Sequence, residues 1–490
     1  MKALHYLAYA LLVMTPVFAH AVSIDYVRIS ERIGDSALVR QSTFAADTWY
    51  TCTLSLLSCA STASTTSLTP LDLQEYAHSF SPDGTRLALT YYPLEGRPVE
   101  QIFSINASGT RTMVANLPVA GELRRTLWSN VGIHLITSTN DVQTYNLATG
   151  LIVGGGTLPA GASWLTSSPD GRFIAFYIPA TQTREKRVFG ILDTTTQTVY
   201  TEEVTSKYWD LLSEGVTIFA FSPDSKTLAY ISDVKNYPTI YTVSLGTLNP
   251  KKTSFVGKRL FTREYTVTDV IWKDTGTVYF VANRDNPYKY GLYEYALKSG
   301  TLTKRHDTAS YATAMTFVGS QLLFSEIAGV GTQPVMYDSK TKTMRRLPIQ
   351  RSSTLPVPAT VVSLAAKQSG VFMKPTLATK TLLVWLHGGP FRQTSLGYHP
   401  YQSYGGYDAL LDQVVNEGTA VLKLDYPGSF GYGRTFAESI KENVGKKDVA
   451  DTTAAITAFA KKYPRSNHVG NSRLVSGNAH APTRKRMLHH

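Results

Sequence analysis

Residues 168–178 read Ser-Pro-Asp-Gly followed by RFIAFYI, a Pro/Asp turn that runs into an alternating apolar strand. The same pattern occurs at Phe80-Ser81-Pro82-Asp83-Gly84 before RLALTYY and at Phe221-Ser222-Pro223-Asp224-Ser225 before TLAYIS. Degenerate copies stand at Trp128-Ser129 before VGIHLITS, Trp272-Lys273-Asp274 before TVYFVA and Phe317-Val318-Gly319 before QLLFSE. Each is followed by a second strand-like stretch, such as 101–105 or 239–243, and then a Gly or Asn turn. Four short strands per unit, over roughly 325 residues at about 45 per unit, predict a β-propeller of about seven blades. A β-sandwich with coincidental turn similarity is the alternative.

Beyond a Ser/Pro/Thr-rich connection at 351–358 the pattern changes. Thr381-Leu382-Leu383-Val384-Trp385-Leu386 reads as a strand entering His387-Gly388-Gly389-Pro390, followed by an amphipathic helix around 407–416 and a Gly418 stop. A buried strand at 420–424 precedes Asp425-Tyr426-Pro427-Gly428-Ser429-Phe430-Gly431-Tyr432-Gly433, and a second helix covers 448–462. Strand, helix, strand, helix is the alternation of a mostly parallel doubly wound sheet. An apolar strand ending in a glycine pair is how α/β-hydrolases build half of an oxyanion hole, because glycine lets backbone N–H groups approach the developing charge.

Phe372-Met373-Lys374-Pro375, the HGGP at 387–390, the YPGSFGYG at 426–433 and Asp451 together resemble the prolyl oligopeptidase family, including its acylaminoacyl-peptidase and dipeptidyl-peptidase branches. The resemblance is close over 355–480 and loose over the propeller. Relatives usually carry Arg where this chain has Pro427, so local loop support is expected to differ. The resemblance implies a serine-type peptidase acting on oligopeptides, with the propeller restricting access and no cofactor. It also implies that a Gly-x-Ser-x-Gly elbow follows the next strand. Here Arg473-Leu474-Val475-Ser476 leads into Gly477-Asn478-Ala479-His480-Ala481, so alanine stands at the nucleophile position. Gly389 and the N–H of His480 occupy the oxyanion-hole positions. No Asp or Glu follows Asp451, and His489 and His490 are terminal residues rather than triad members. The reading is therefore a peptidase by lineage whose hydrolase domain (355–490) is incomplete and inactive, through gene decay or a frameshift near 478. The alternative is a propeller-based peptide or protein binding module with a vestigial hydrolase lobe. An incomplete sheet is also expected to cost solubility or protease resistance beyond 355.

Two other candidates are weaker. Ser403-Tyr404-Gly405-Gly406-Tyr407 looks like an elbow but lacks a preceding glycine and a strand, which makes a loop entering a helix the better description. His387 reads as an oxyanion-loop residue rather than a general base.

The first residues supply an address. Lys2, the apolar stretch from Leu7 to Phe18 and Ala19-His20-Ala21 read as a secretory signal peptide over 1–21, an uncleaved N-terminal anchor being the alternative. A periplasmic or secreted protein without a membrane span after cleavage is expected, with the propeller at 22–350. Cys52 and Cys59, the two cysteines, are compatible with a local disulfide in an oxidising compartment and offer no metal set. The net charge of +12 is spread along the chain, and its one dense run, Arg484-Lys485-Arg486, is too short to argue for nucleic acid. The oligomeric state is not legible.

Overall fold

The Ser-Pro-Asp turns close in the same way three times. Ser81 Oγ donates to Asp83 Oδ1 at 2.6 Å and accepts from the Arg86 N–H at 2.9 Å. Ser168 does so with Asp170 and Phe173, and Ser222 with Asp224 and Thr227, at the same distances. The serine thus ties the turn to the first residue of the strand it launches, which is why serine and aspartate recur two positions apart.

The computed structural model describes residues 25–33, 36–42, 47–53, 56–61, 77–81, 83, 85–91, 99–105, 111–119, 121–181, 183–205, 218–311, 315–318, 320–327, 331–349, 356–364, 368–376, 381–463 and 471–476. Seven four-stranded antiparallel units fall within 25–61 (blade I), 77–118 (II), 123–157 (III), 163–205 (IV), 219–259 (V), 267–306 (VI) and 316–346 (VII). They form the β-propeller that the turns predict. Blades VII and I merge into one eight-stranded sheet, where Asp25 and Tyr26 pair in parallel with Gly331 and Thr332. Backbone hydrogen bonds thereby close the ring and remove two edges.

Blades pack face to face, so their second strands are apolar on both sides. Gly132–Thr137 and Phe173–Ile178 are buried at every position. The tryptophans of the degenerate repeats bridge neighbouring first strands: Trp128 Nε1 donates to the Ser79 carbonyl at 3.1 Å and Trp272 Nε1 to the Ala220 carbonyl at 2.9 Å. Between blades IV and V an aromatic stack of Tyr177, Phe189 and Tyr230, with centroids 5.0–5.2 Å apart, sits near a fully buried ion pair of Arg187 and Asp233. In blade I, Cys52 lies opposite Cys59 across a hairpin, and the two are joined by a disulfide of 2.08 Å.

The C-terminal lobe is a five-stranded sheet with helices on both faces. Its strands are β1 (Ala359–Ser363), β2 (Ser369–Met373), β3 (Thr381–Leu386), β4 (Ala420–Leu424) and β5 (Asn471–Ser476). Its helices are α1 (Gln402–Asn416), α2 (Arg434–Glu438) and α3 (Lys447–Lys462). The order is β1-β2-β4-β3-β5, antiparallel through β4 and parallel across β4, β3 and β5. Strand alternation sorts the two faces: Leu422 and Leu424 meet Ala455 and Phe459 of α3, while Val421 meets Leu411 and Val415 of α1. This is a partial α/β-hydrolase fold following the propeller.

The lobe rests on one rim of the ring. Asn236 in blade V accepts from the backbone N–H of Arg434 and, through Oδ1, of Thr435, each at 2.7 Å. Asn283 in blade VI donates to the Gly431 carbonyl at 3.0 Å. Gly433 has φ +86° and a Cβ there would stand 2.9 Å from Asn236 Nδ2, so the turn into α2 requires glycine to dock. Phe391, Phe430 and Ala437 join the same apolar core as blades IV to VII.

Candidate active site

Parallel register brings three strand ends to one edge of the sheet. Leu386 of β3 is level with Leu424 of β4 and with Ser476 of β5. The HGGP loop and the 425–433 loop therefore leave side by side, at the edge where open α/β sheets place ligands. Residues 477–490, with Ala479 and His480, lie outside the described residues, as do residues 1–21.

The HGGP loop is fixed from beneath by the loop that follows β4. Tyr426 stacks on His387 at 4.9 Å and its hydroxyl donates to the His387 carbonyl at 2.6 Å. Gly428, at φ +108°, lets Pro390 pack directly on it, since a Cβ would come within 2.9 Å of the proline ring. Gly389, the oxyanion-hole candidate, itself has φ +131°. Asp425 organises the floor: Oδ1 accepts the Thr394 N–H at 2.8 Å and Oδ2 the Tyr432 hydroxyl at 2.7 Å.

His387 Nε2 lies 3.0 Å from Ser429 Oγ and 3.2 Å from Asp425 Oδ1. Serine, histidine and aspartate thus meet in space, yet the arrangement is structural. A triad places acid and nucleophile on opposite ring nitrogens, whereas here both share Nε2. Ser429 is fully buried and its hydroxyl donates to the Tyr426 carbonyl at 2.7 Å. The trio is a clamp on the HGGP loop.

Behind the loop lies a second buried network. Lys423 of β4 uses its three N–H groups on Asp408 Oδ1 at 3.0 Å and the carbonyls of Ser395 and Gly397 at 2.9 and 3.3 Å. Asp408 Oδ2 accepts the His399 N–H at 2.6 Å, and burial raises this carboxyl above its ordinary range. His399 Nδ1 accepts the Tyr401 N–H at 3.0 Å, which places the neutral ring's proton on Nε2, 3.0 Å from the Tyr311 hydroxyl of the propeller. Burial, with Lys423 nearby, pushes the His399 pKa down to about 3. A cavity of about 20 Å³ lined by Trp385, His387, His399, Tyr404, Asp408 and Lys423 holds no more than a water-sized group. Among the described residues no three His, Cys, Asp or Glu side chains are grouped so as to hold a metal ion.

Ser403 falls in the first turn of α1, with no strand in residues 391–401, so it is not on an elbow. Neither Asp425 nor the Lys423–Asp408–His399 network was singled out in the sequence. A lysine inside the otherwise apolar 420–424 strand is the signal that would have found the second.

The profile of the dipeptidyl peptidase IV N-terminal region matches residues 71–324, more than half of the chain, and that of the prolyl oligopeptidase family matches 405–473. The chain belongs to the prolyl oligopeptidase family. Its resemblance to one curated family member, acylamino-acid-releasing enzyme 1 of Oryza sativa subsp. japonica, is 33% identity over 85 residues. That match covers 17% of this chain and 10% of the rice enzyme. The fold is shared with a puromycin-hydrolyzing peptidase of Mycobacterium tuberculosis at a TM-score of 0.63 and 14% identity, covering 93% of this chain and 74% of that one. It is shared too with an acylaminoacyl peptidase in complex with Z-Gly-Gly-Phe-chloromethyl ketone, at a TM-score of 0.57 and 14% identity over 92% and 73% of the two chains. Within this family architecture, the described site consists of the HGGP loop and the Tyr426, Ser429 and Asp425 contacts that hold it.

Proposed function

We propose that the chain is the propeller and oxyanion lobe of an oligopeptide-directed serine peptidase lineage, exported to the periplasm or secreted, and that with alanine at 479 it binds peptides without hydrolysing them. The observation that carries this reading is the register of β5 on β3. Ser476, the last residue of β5, pairs with Leu386, so β5 ends level with the start of the HGGP loop, and the sequence that follows it, Gly477-Asn478-Ala479, is where the family motif carries its nucleophile. Alanine has no hydroxyl to acylate, and the serine of Ser429 is committed to Tyr426. Loss of the nucleophile removes most of the rate enhancement, because triad members act as a unit. Peptide ligands are supported by family membership and by the peptide-derived inhibitor on the related acylaminoacyl peptidase.

The test treats the purified 490-residue chain with a fluorophosphonate serine probe and, in parallel, titrates it into a fluorescent oligopeptide. No labelling together with saturable binding is expected. Labelling would overturn the non-hydrolytic reading, and absence of binding would overturn the peptide-binding one. Export is tested by expressing the chain with its own N-terminus and sequencing the product, which should begin at Val22 in the periplasmic fraction or the medium.

A further inference from the structure

The first strands of neighbouring blades touch one another around the channel, so the fourth strand of each blade is the outer edge of its sheet. Such an edge offers unpaired backbone groups to any other strand, and proteins ordinarily guard it with charge, proline or a very short strand. The outer strands of blades II and IV to VII each carry at least one charged residue, from Arg111 in blade II to Arg346 in blade VII. That of blade I is four residues long and is fastened by the Cys52–Cys59 disulfide. Blade III is the exception. Its outer strand, Ile152–Thr157, reads IVGGGT without charge or proline, and Asp141 is the one charged residue in 141–157. Leu151, Ile152 and Val153 are exposed by 62, 39 and 56%.

The backbone fixes how this edge can be used. The Leu151 carbonyl accepts from the Asn146 N–H at 2.9 Å, so the Ile152 N–H, on the opposite side of that peptide unit, faces away from the sheet. Outward groups recur two residues on at Gly154, whose carbonyl accepts from the exposed Gln197 side chain of blade IV at 3.2 Å and keeps a second lone pair. Gly155 and Gly156 together oppose Val142 in a bulge, which ends the usable edge. An antiparallel partner must therefore bond at 152 and 154. When that partner is the same strand of a second copy, Ile152 and Gly154 exchange hydrogen bonds with their counterparts and Val153 meets its own copy on a two-fold axis. Each Ile152 side chain then lies opposite a glycine, which leaves it room, while the two valines pack directly. The strand is thus self-complementary in the register that uses both outward residues of each copy.

We propose that the chain forms a two-fold dimer through this edge, joining the blade III sheets of two copies into one continuous sheet. Strand addition satisfies the open backbone groups, and a two-fold contact closes without leaving a new edge of the same kind. The inference is independent of the peptide-binding reading. It is tested by sedimentation of the full chain, whose mass should move from monomer toward dimer between about 1 and 100 µM, the range of a small transient interface. Val153→Lys and Val153→Glu each place like charges opposite one another on the axis and should weaken association at least about tenfold. An equimolar mixture of the two variants should restore the dimer, which also shows that both are folded. Met113→Lys, on the outer strand of blade II, should leave association unchanged. A wild-type chain that stays monomeric at 100 µM, a dimer indifferent to Val153→Lys, a mixture that fails to associate, or equal loss in Met113→Lys would each overturn the proposal.

Discussion

In the propeller the last blade hands its backbone hydrogen bonds to the first, through Asp25 and Tyr26 on Gly331 and Thr332. In the lobe β5 has one strand neighbour, β3, among the described residues, and the apolar loops Phe391 and Phe430 are covered by the core of blades IV to VII. The ring therefore satisfies itself, whereas the lobe draws cover from the ring. Closure and docking are different sources of stability, and they predict different responses to damage of the same chemical kind. Each region contains a buried pair of a Lys or Arg with an Asp, Arg187–Asp233 in the ring and Lys423–Asp408 in the lobe.

The ring pair gives the largest expected effect. Arg187→Ala leaves Asp233 charged and buried between blades, which costs about 3–5 kcal/mol, while Arg187→Met with Asp233→Leu restores most of that loss. Chemical denaturation followed by aromatic circular dichroism measures it. If the ring is one cooperative unit, protection of all seven blades falls together in hydrogen exchange; loss confined to blades IV and V would break the picture of a closed, self-supporting ring.

Lys423→Met damages the lobe in the same manner. It strands Asp408 and frees the carbonyls of Ser395 and Gly397, with an expected cost of about 3 kcal/mol. Because the lobe leans on the ring and not the reverse, exchange should accelerate across 381–463 while blades I to III keep their protection. Equal acceleration in blade II would show that the two regions form one unit.

A pH scan sharpens the contrast from the ring side. Glu100 is fully buried in blade II, accepts, among the described residues, only the Thr90 hydroxyl at 2.8 Å, and burial raises its pKa to about 7. The folded state thus holds a proton that the unfolded chain releases near pH 4.5. Stability from this group is fully present below that value and is lost as pH rises through about 7. Glu100→Gln should leave stability unchanged at pH 4 and raise it by roughly 2–3 kcal/mol at pH 8. A parallel displacement at both pH values would sink the assignment.

Sequence reading reached the repeats because their turns are chemically local: serine, aspartate and the strand start lie within six positions, and three copies agree. It reached β3, β4 and α3 because their apolar faces alternate at strand and helix periods. What it missed is non-local. Asn236 and Arg434 are nearly two hundred positions apart, and nothing in either segment announces the other. The Ser429–His387–Asp425 clamp likewise needs coordinates to show that two partners crowd one nitrogen. The elbow is the reverse case, since Ala479 was read from sequence alone.

The smallest expected effect isolates docking itself. Tyr290, fully buried in blade VI, donates its hydroxyl to Gln393 Oε1 at 2.8 Å, and the Gln393 amide in turn donates to the Pro287 carbonyl. Tyr290→Phe removes one hydrogen bond and leaves the ring's volume and its stack on Tyr311, 4.6 Å away, in place. One neutral hydrogen bond contributes about 1 kcal/mol, and Gln393 keeps its other contact. Tyr290 belongs to the apolar core of blades IV to VII, but phenylalanine keeps the aromatic ring in that core and the lost partner, Gln393, lies in the lobe, so the melting of an isolated ring would not register the change. A change of about 1 kcal/mol that appears as faster exchange in 391–400 and 425–440, with blades I to IV unchanged, would locate the lobe's dependence at this rim. Were exchange in the lobe to stay as it was, its stability would have to arise within the sheet, and the asymmetry between a closed ring and a propped lobe would fail at its weakest contact.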